Sequence, residues 1–144
     1  MEDVLVRTSD ESREIVGQFR KRIQALGHAH GDRIREKVSE HWIGWRSTRH
    51  GRTFAEMRPF QGRVQVFILP PKRGLKDPSR LARPNPPTQG WGYFLSRFDV
   101  RTVREADAAF PLIRQSYEHG ANGHDGHRAA SRRDGRGGPS RLRP

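Results

Sequence analysis

Ile15, Val16, Phe19, Ile23 and Leu26 recur at helical spacing, which gathers them on one face of a rod. Thr8 and Glu11 stand ahead of them in capping-box spacing and Gly27 follows as a C-cap, so a first helix is predicted between these signals. Asp32 is placed to cap a second, short helix that carries Ile34 and Val38, with Trp42 just beyond and with Arg33, Arg35, Glu36 and Lys37 outward.

From His41 the pattern changes to strand character in three pieces, HWIGWRS, RTFAEMRP and GRVQVFIL, separated by turn signals at His50-Gly51 and Gln61-Gly62. Val64, Val66 and Ile68 alternate with Gln65, Phe67 and Leu69, as in a central strand of an antiparallel meander. A proline-rich stretch follows from Pro70 to Gly90. Within it Asp77 to Arg83 starts like a short helix with proline at its first position, and Pro84-Asn85-Pro86-Pro87 demands extended backbone. Trp91 to Val100 reads as a fourth strand. A last helix begins at Thr102, capped with Glu105, and carries Val103, Ala106, Phe110, Ile113 and Tyr117, with Pro111 inside it and expected to kink it.

These elements define an α+β class: a four-stranded antiparallel sheet packed by the N- and C-terminal helices, with Phe19, Ile23, Val64, Val66, Phe98, Phe110 and Ile113 buried together. Residues 1–11 are expected to fray and 12–120 to form the domain. Residues 121–144, where Leu142 is the only large apolar side chain, are expected to be a disordered Gly/Arg-rich tail.

Composition narrows the chemistry. Among 144 residues there is no cysteine, which excludes disulfides, thiol nucleophiles and thiolate zinc sites. No apolar run is long enough for a membrane helix and the first residues lack a signal-peptide pattern, so the expectation is a cytoplasmic protein with no membrane partner. The net charge is +12. Six Arg against two Asp put +4 on residues 121–144, leaving +8 on residues 1–120, so the body is basic without its tail. Such a balance suits a polyanionic partner but specifies none.

Several words of the chain, in this order, resemble the domain-of-unknown-function family 5655: FRKRIQALG, REKVSEHWIGWRS, RTFAEMRPFQGRVQVFIL, DPSRLAR, Trp91-Gly92 and LIRQSYE. That family is similar to the C-terminal part of bacterial and archaeal proteins labelled predicted transport proteins. The resemblance runs from about Val16 to Glu118. It departs from the family at Gly90-Trp91-Gly92-Tyr93-Phe94-Leu95, where the family shows a His-Trp-Gly step followed by a small glycine and acidic turn, and also at Pro111 and the proline-rich linker. The resemblance implies a compact α+β module with an accessory role, and no catalytic residues.

Tested against specific chemistries, the residues supply no catalytic, cofactor or metal constellation. Glu56 offers a nuclease one carboxylate, the preceding strand offers none, and an exposed strand residue is the favoured reading. His28 and His30, and the group His119, His124, Asp125 and His127, lie in a Gly-bounded loop and in the tail, without an ordered ligand set. Ser47, Ser79 and Ser96 lack an elbow motif, and Gly90-Trp91-Gly92 precedes a strand rather than a helix.

Trp42, Trp45, Trp91, Tyr93 and Phe94 cluster near strand entrances. Two readings stand for them: core anchors, or a stacking platform in which Trp45, Trp91 or Tyr93 sits beside Arg46, Arg49 and Arg52. The function expected from the sequence is therefore a non-enzymatic accessory or binding module. Its sharper version is weak, non-specific nucleic-acid binding. The rivals are a protein-interaction or small-ligand module with incidental charge and, behind both, a hydrolase.

Overall fold

A computed structural model describes residues 8–86 and 93–127. Its elements are α1 (Asp10–Ala29), β1 (Ile34–Val38), β2 (Ile43–Ser47), β3 (Arg52–Phe60), β4 (Arg63–Ile68), a single 3₁₀ turn (Lys72–Gly74), β5 (Arg83–Pro84), β6 (Ser96–Val100) and α2 (Val103–His127). The strands form one antiparallel sheet in the order β1-β2-β3-β4-β6-β5. The α+β class stands. The sheet has six strands rather than four.

Of the extra strands, β1 comes from a segment with helical signals, and β5 joins the last residue of a helix-like segment to the first of a proline run expected to be extended. At β1 only Ile34 and Val38 are apolar, too few to bury a helical face. Asp32 does not cap a helix, because its carboxylate is taken by distant partners: it accepts from Ser47 Oγ (2.5 Å), Tyr117 Oη (2.7 Å) and the Arg49 N–H (2.9 Å). At Asp77 the carboxylate accepts from the N–H groups of Leu81 and Ala82 while Arg80 takes a left-handed φ of 54°, which closes a turn and releases the chain into β5.

The helices begin close to where their capping signals lie. The N-cap of α1 is Ser9, one residue beyond Thr8, and its hydroxyl accepts from the Ser12 N–H at 3.2 Å. Thr8 instead donates to the Phe60 carbonyl, as does Ser12, which ties the start of α1 to the sheet. Helix α1 continues past Gly27 to Ala29. Gly27 is needed for close approach: a Cβ there would lie 2.9 Å from Ile34 Cδ1 and 3.0 Å from the Asp32 carbonyl. Thr102 Oγ1 accepts from the Glu105 N–H, and Glu105 reaches back to the Arg101 N–H. Helix α2 carries Pro111 on an exposed position and runs on to His127, into the segment read as a disordered tail. Residues 128–144 and the lead-in 1–7 lie outside the described residues.

Helices α1 and α2 lie side by side on one face of the sheet. Phe19, Ile23, Val64, Val66, Phe98, Phe110 and Ile113 are buried in one cluster between the layers, as their periodicity predicts. Buried hydroxyls close the backbone valences that this packing would strand. Ser116 Oγ donates to the Phe54 carbonyl and accepts from the Leu69 N–H, while Ser96 Oγ donates to the Pro70 carbonyl.

Candidate functional site

The sheet registers place Glu36, Trp45, Ala55, Ile68, Ser96 and Pro84 in one row facing the helices, and Lys37, Gly44, Glu56, Phe67, Arg97 and Arg83 in the next row on the opposite face. That second row crosses all six strands, about 24 Å at the usual strand spacing. It carries cations at both ends and a carboxylate near its middle.

A cleft of about 660 Å³ opens on this face, bounded by Arg35, Lys37, Trp42, Arg46, Tyr93 and Phe94 among others. Its floor is made by Gly44, Thr53 and Glu56. Glycine at position 44 lets the Trp42 ring lie close to the sheet, since a Cβ would stand 3.1 Å from Trp42 Cζ3. The Ser39 hydroxyl donates to the Trp42 carbonyl and fixes the β1–β2 turn, and Lys37 Nζ lies 5.9 Å from the Trp42 ring centroid. On the opposite wall Tyr93, 42% exposed, donates its hydroxyl to the Thr53 carbonyl at 2.9 Å, and Arg52 lies over its ring. Phe94 meets Tyr93 edge to face and is held from behind by Asn85, whose amide donates to the Phe94 carbonyl. The short strand β5 thus positions one wall of the cleft.

Charge at the lip is concentrated by register. Arg35 and Arg46 are direct cross-strand partners, both exposed, and among the described residues neither forms an ion pair. Like charges so placed repel, a cost the sheet bears without visible compensation. Arg83 and Arg97 repeat the arrangement at the far edge. At the floor, burial pushes the Glu56 carboxyl up, against the pull of Arg58, whose Nε lies 3.5 Å from Glu56 Oε2.

Of the residues singled out in the sequence, the cleft brings together Arg46 and Tyr93, with Arg52 adjoining through the Tyr93 ring. Trp45 is corrected: it is fully buried under α1, its indole N–H donating to Glu36 Oε1, which Arg20 clamps with two hydrogen bonds. No face of that ring is open to a ligand. Arg49 points away, donating to the His30 carbonyl at the end of α1. Trp91 lies outside the described residues. Glu56 is no exposed strand residue, because only 15% of its side chain is accessible. The sequence reading missed Arg35, Lys37 and the wall-forming role of Trp42. A strand assignment for residues 34–38 would have revealed the first two, since alternation then puts both cations on one face.

A second polar cluster lies around Asp32, where Ser47, Tyr117 and Arg49 meet and the rings of His30 and His50 flank Tyr117. Burial pushes the Tyr117 hydroxyl up to about 12, helped by Asp32. Burial would also raise the Asp32 carboxyl, but the hydrogen bonds from Ser47, Arg49 and Tyr117, with His50 nearby, hold it below its ordinary 3.8. This arrangement ties the β2–β3 turn to α1 and α2. A depressed carboxyl contributes stability that is present above its unfolded value and lost as pH falls through its folded one. In urea titrations the stability gap between wild type and Asp32→Asn is therefore expected to be constant near neutrality and to shrink below about pH 4. A gap unchanged in acid would contradict the assignment.

Among the described residues no group of three or more His, Cys, Asp or Glu is placed to hold a metal ion, and no helix is long and apolar enough to cross a membrane. Compared with known proteins, the chain matches no family model, no curated protein and no solved structure. Fold and site together define an α+β protein whose antiparallel sheet is covered by two helices on one face and bears a basic, aromatic-walled cleft on the other.

Proposed function

We propose that this protein, in line with its resemblance to the domain-of-unknown-function family 5655, is a non-enzymatic binding module that takes single-stranded nucleic acid across the open face of its sheet. The observation that carries this reading is the Arg35/Arg46 pair, two exposed like charges held directly opposite at the lip of a cleft walled by Trp42 and Tyr93. A phosphate between the two guanidiniums removes their repulsion and the rings offer faces for bases, which is how sequence-tolerant single-strand binders combine charge with stacking. A duplex keeps its bases stacked inside and leaves those rings unused. The second cationic pair, Arg83 and Arg97, extends the track along the row that crosses the sheet.

Fluorescence anisotropy with short single- and double-stranded oligonucleotides at two salt concentrations tests the proposal. Single strands are expected to bind more tightly, with affinity falling steeply as salt rises because neutralised phosphates release counterions. Absence of binding at low salt overturns the reading and leaves a protein-interaction or small-ligand module ahead.

A further inference from the structure

The cleft holds one feature that phosphate binding and stacking leave unused. Glu56 lies on its floor, in the row between Gly44 and Phe67, with cations around it and an aromatic ring on either side. Glu36 also borders the cleft, but its carboxylate is held by Arg20 and Trp45, so Glu56 is the carboxylate left to a ligand, and a carboxylate in an anion-binding cleft works against affinity for a polyanion. It gains a use only where the ligand presents donors at that depth. Nucleobases differ in this respect. Thymine and uracil offer one ring N–H flanked by carbonyls that a carboxylate repels, adenine and cytosine offer one amino group beside an acceptor nitrogen, and guanine offers an adjacent ring N–H and amino N–H that match the two oxygens of a carboxylate. Arg58 approaches Oε2 from the side, and among the described residues no protein donor engages Oε1.

From this geometry we propose that Glu56 makes the cleft selective for guanine, accepting from its ring and amino N–H groups while Trp42 and Tyr93 flank the base and Arg35 and Arg46 hold the adjoining phosphates. The inference rests on the single-strand reading above and adds to it a base preference and the residue that sets it. Thr53, the remaining polar residue of the floor, offers a hydroxyl beside the Tyr93 anchor for the rest of the base edge.

The test uses the full chain and thymidine oligonucleotides that carry one central guanine, inosine, adenine, cytosine or thymine, titrated against wild type and Glu56→Gln at one low salt concentration. Inosine keeps the ring N–H and lacks the amino group. The guanine oligonucleotide is expected to bind roughly tenfold more tightly than the all-thymidine one, with inosine between, the scale of discrimination that one paired base contact supplies. Glu56→Gln should erase that order while leaving all-thymidine binding equal or slightly tighter, since a negative charge has left the cleft. The variant preserves shape and removes a carboxylate that burial disfavours, so it is expected to melt at or above the wild-type temperature at pH 7. Equal binding of all oligonucleotides by wild type, or a preference that survives in Glu56→Gln, overturns the guanine inference and leaves single-strand binding standing. Binding of none overturns both.

Discussion

Arg35→Ala combined with Arg46→Ala is expected to remove most single-strand binding while leaving the protein as stable as wild type or slightly more so. The two effects have separate causes. Each arginine that meets a phosphate contributes about one unit to the slope of log affinity against log salt, so the double variant should lose about two units of slope and more than tenfold in affinity at low salt. The same substitution relieves a direct cross-strand repulsion between two exposed residues, and such pairs shift stability by about 0.2 to 1 kcal/mol. Anisotropy at several salt concentrations and a urea titration of the same preparation read both. Undiminished affinity would move the nucleic-acid track away from this lip; a large loss of stability would show that the arginines serve the fold. Arg49→Ala is the matched control, because its guanidinium is engaged with the His30 carbonyl at the end of α1.

Trp45→Ala is expected to destabilise the protein by about 3 to 5 kcal/mol, a large part of the stability available to a domain of this size. The ring is fully buried between sheet and helix, and its removal opens a cavity that Ala55 and Ile43 cannot fill. Its indole N–H also completes the Glu36 carboxylate, which then relies on Arg20 alone. Urea unfolding gives the figure directly, and a loss below about 1 kcal/mol would place the ring outside the core. Trp42→Ala provides the contrast. That ring lies partly exposed on the open face, so the expected change is mainly in oligonucleotide affinity, about 1 to 3 kcal/mol for a stacked base.

These two tryptophans show how far the site was legible. Both stand in one strand-like word, and the alternation that puts Trp45 and Ile43 on one face leaves Gly44 and Arg46 on the other. Periodicity tells which residues share a face but not which face the helices cover. Trp42 lies before β2 and reaches the cleft through the turn at Ser39 and the missing Cβ of Gly44, neither of which leaves a periodic trace. Arg46 and Tyr93, both at the cleft, were singled out because charge and aromatic character are visible in isolation. Arg35 and Lys37 were hidden behind an apparent helix cap at Asp32, whose carboxylate serves Ser47 and Tyr117 instead.

What could be read from residue order was whatever local physics dictates. The apolar stripes of α1 and α2, the Thr102–Glu105 cap of α2, the alternation in β3 and β4 and the turns at Gly51 and Gly62 each arise within a few neighbouring residues, and together they impose an α+β fold with a shared core. The rest depended on partners far away in the chain. Segments 34–38 and 83–84 became strands because β2 and β6 offered them open edges, a pairing free energy that outweighs weak local preference. The cleft exists because those pairings align Lys37, Gly44 and Glu56 in one row and set Arg35 opposite Arg46, and because Asn85 turns Phe94, next to Tyr93, toward it. Such long-range registers follow from the lowest free energy of the whole sheet, which no window of neighbouring residues contains.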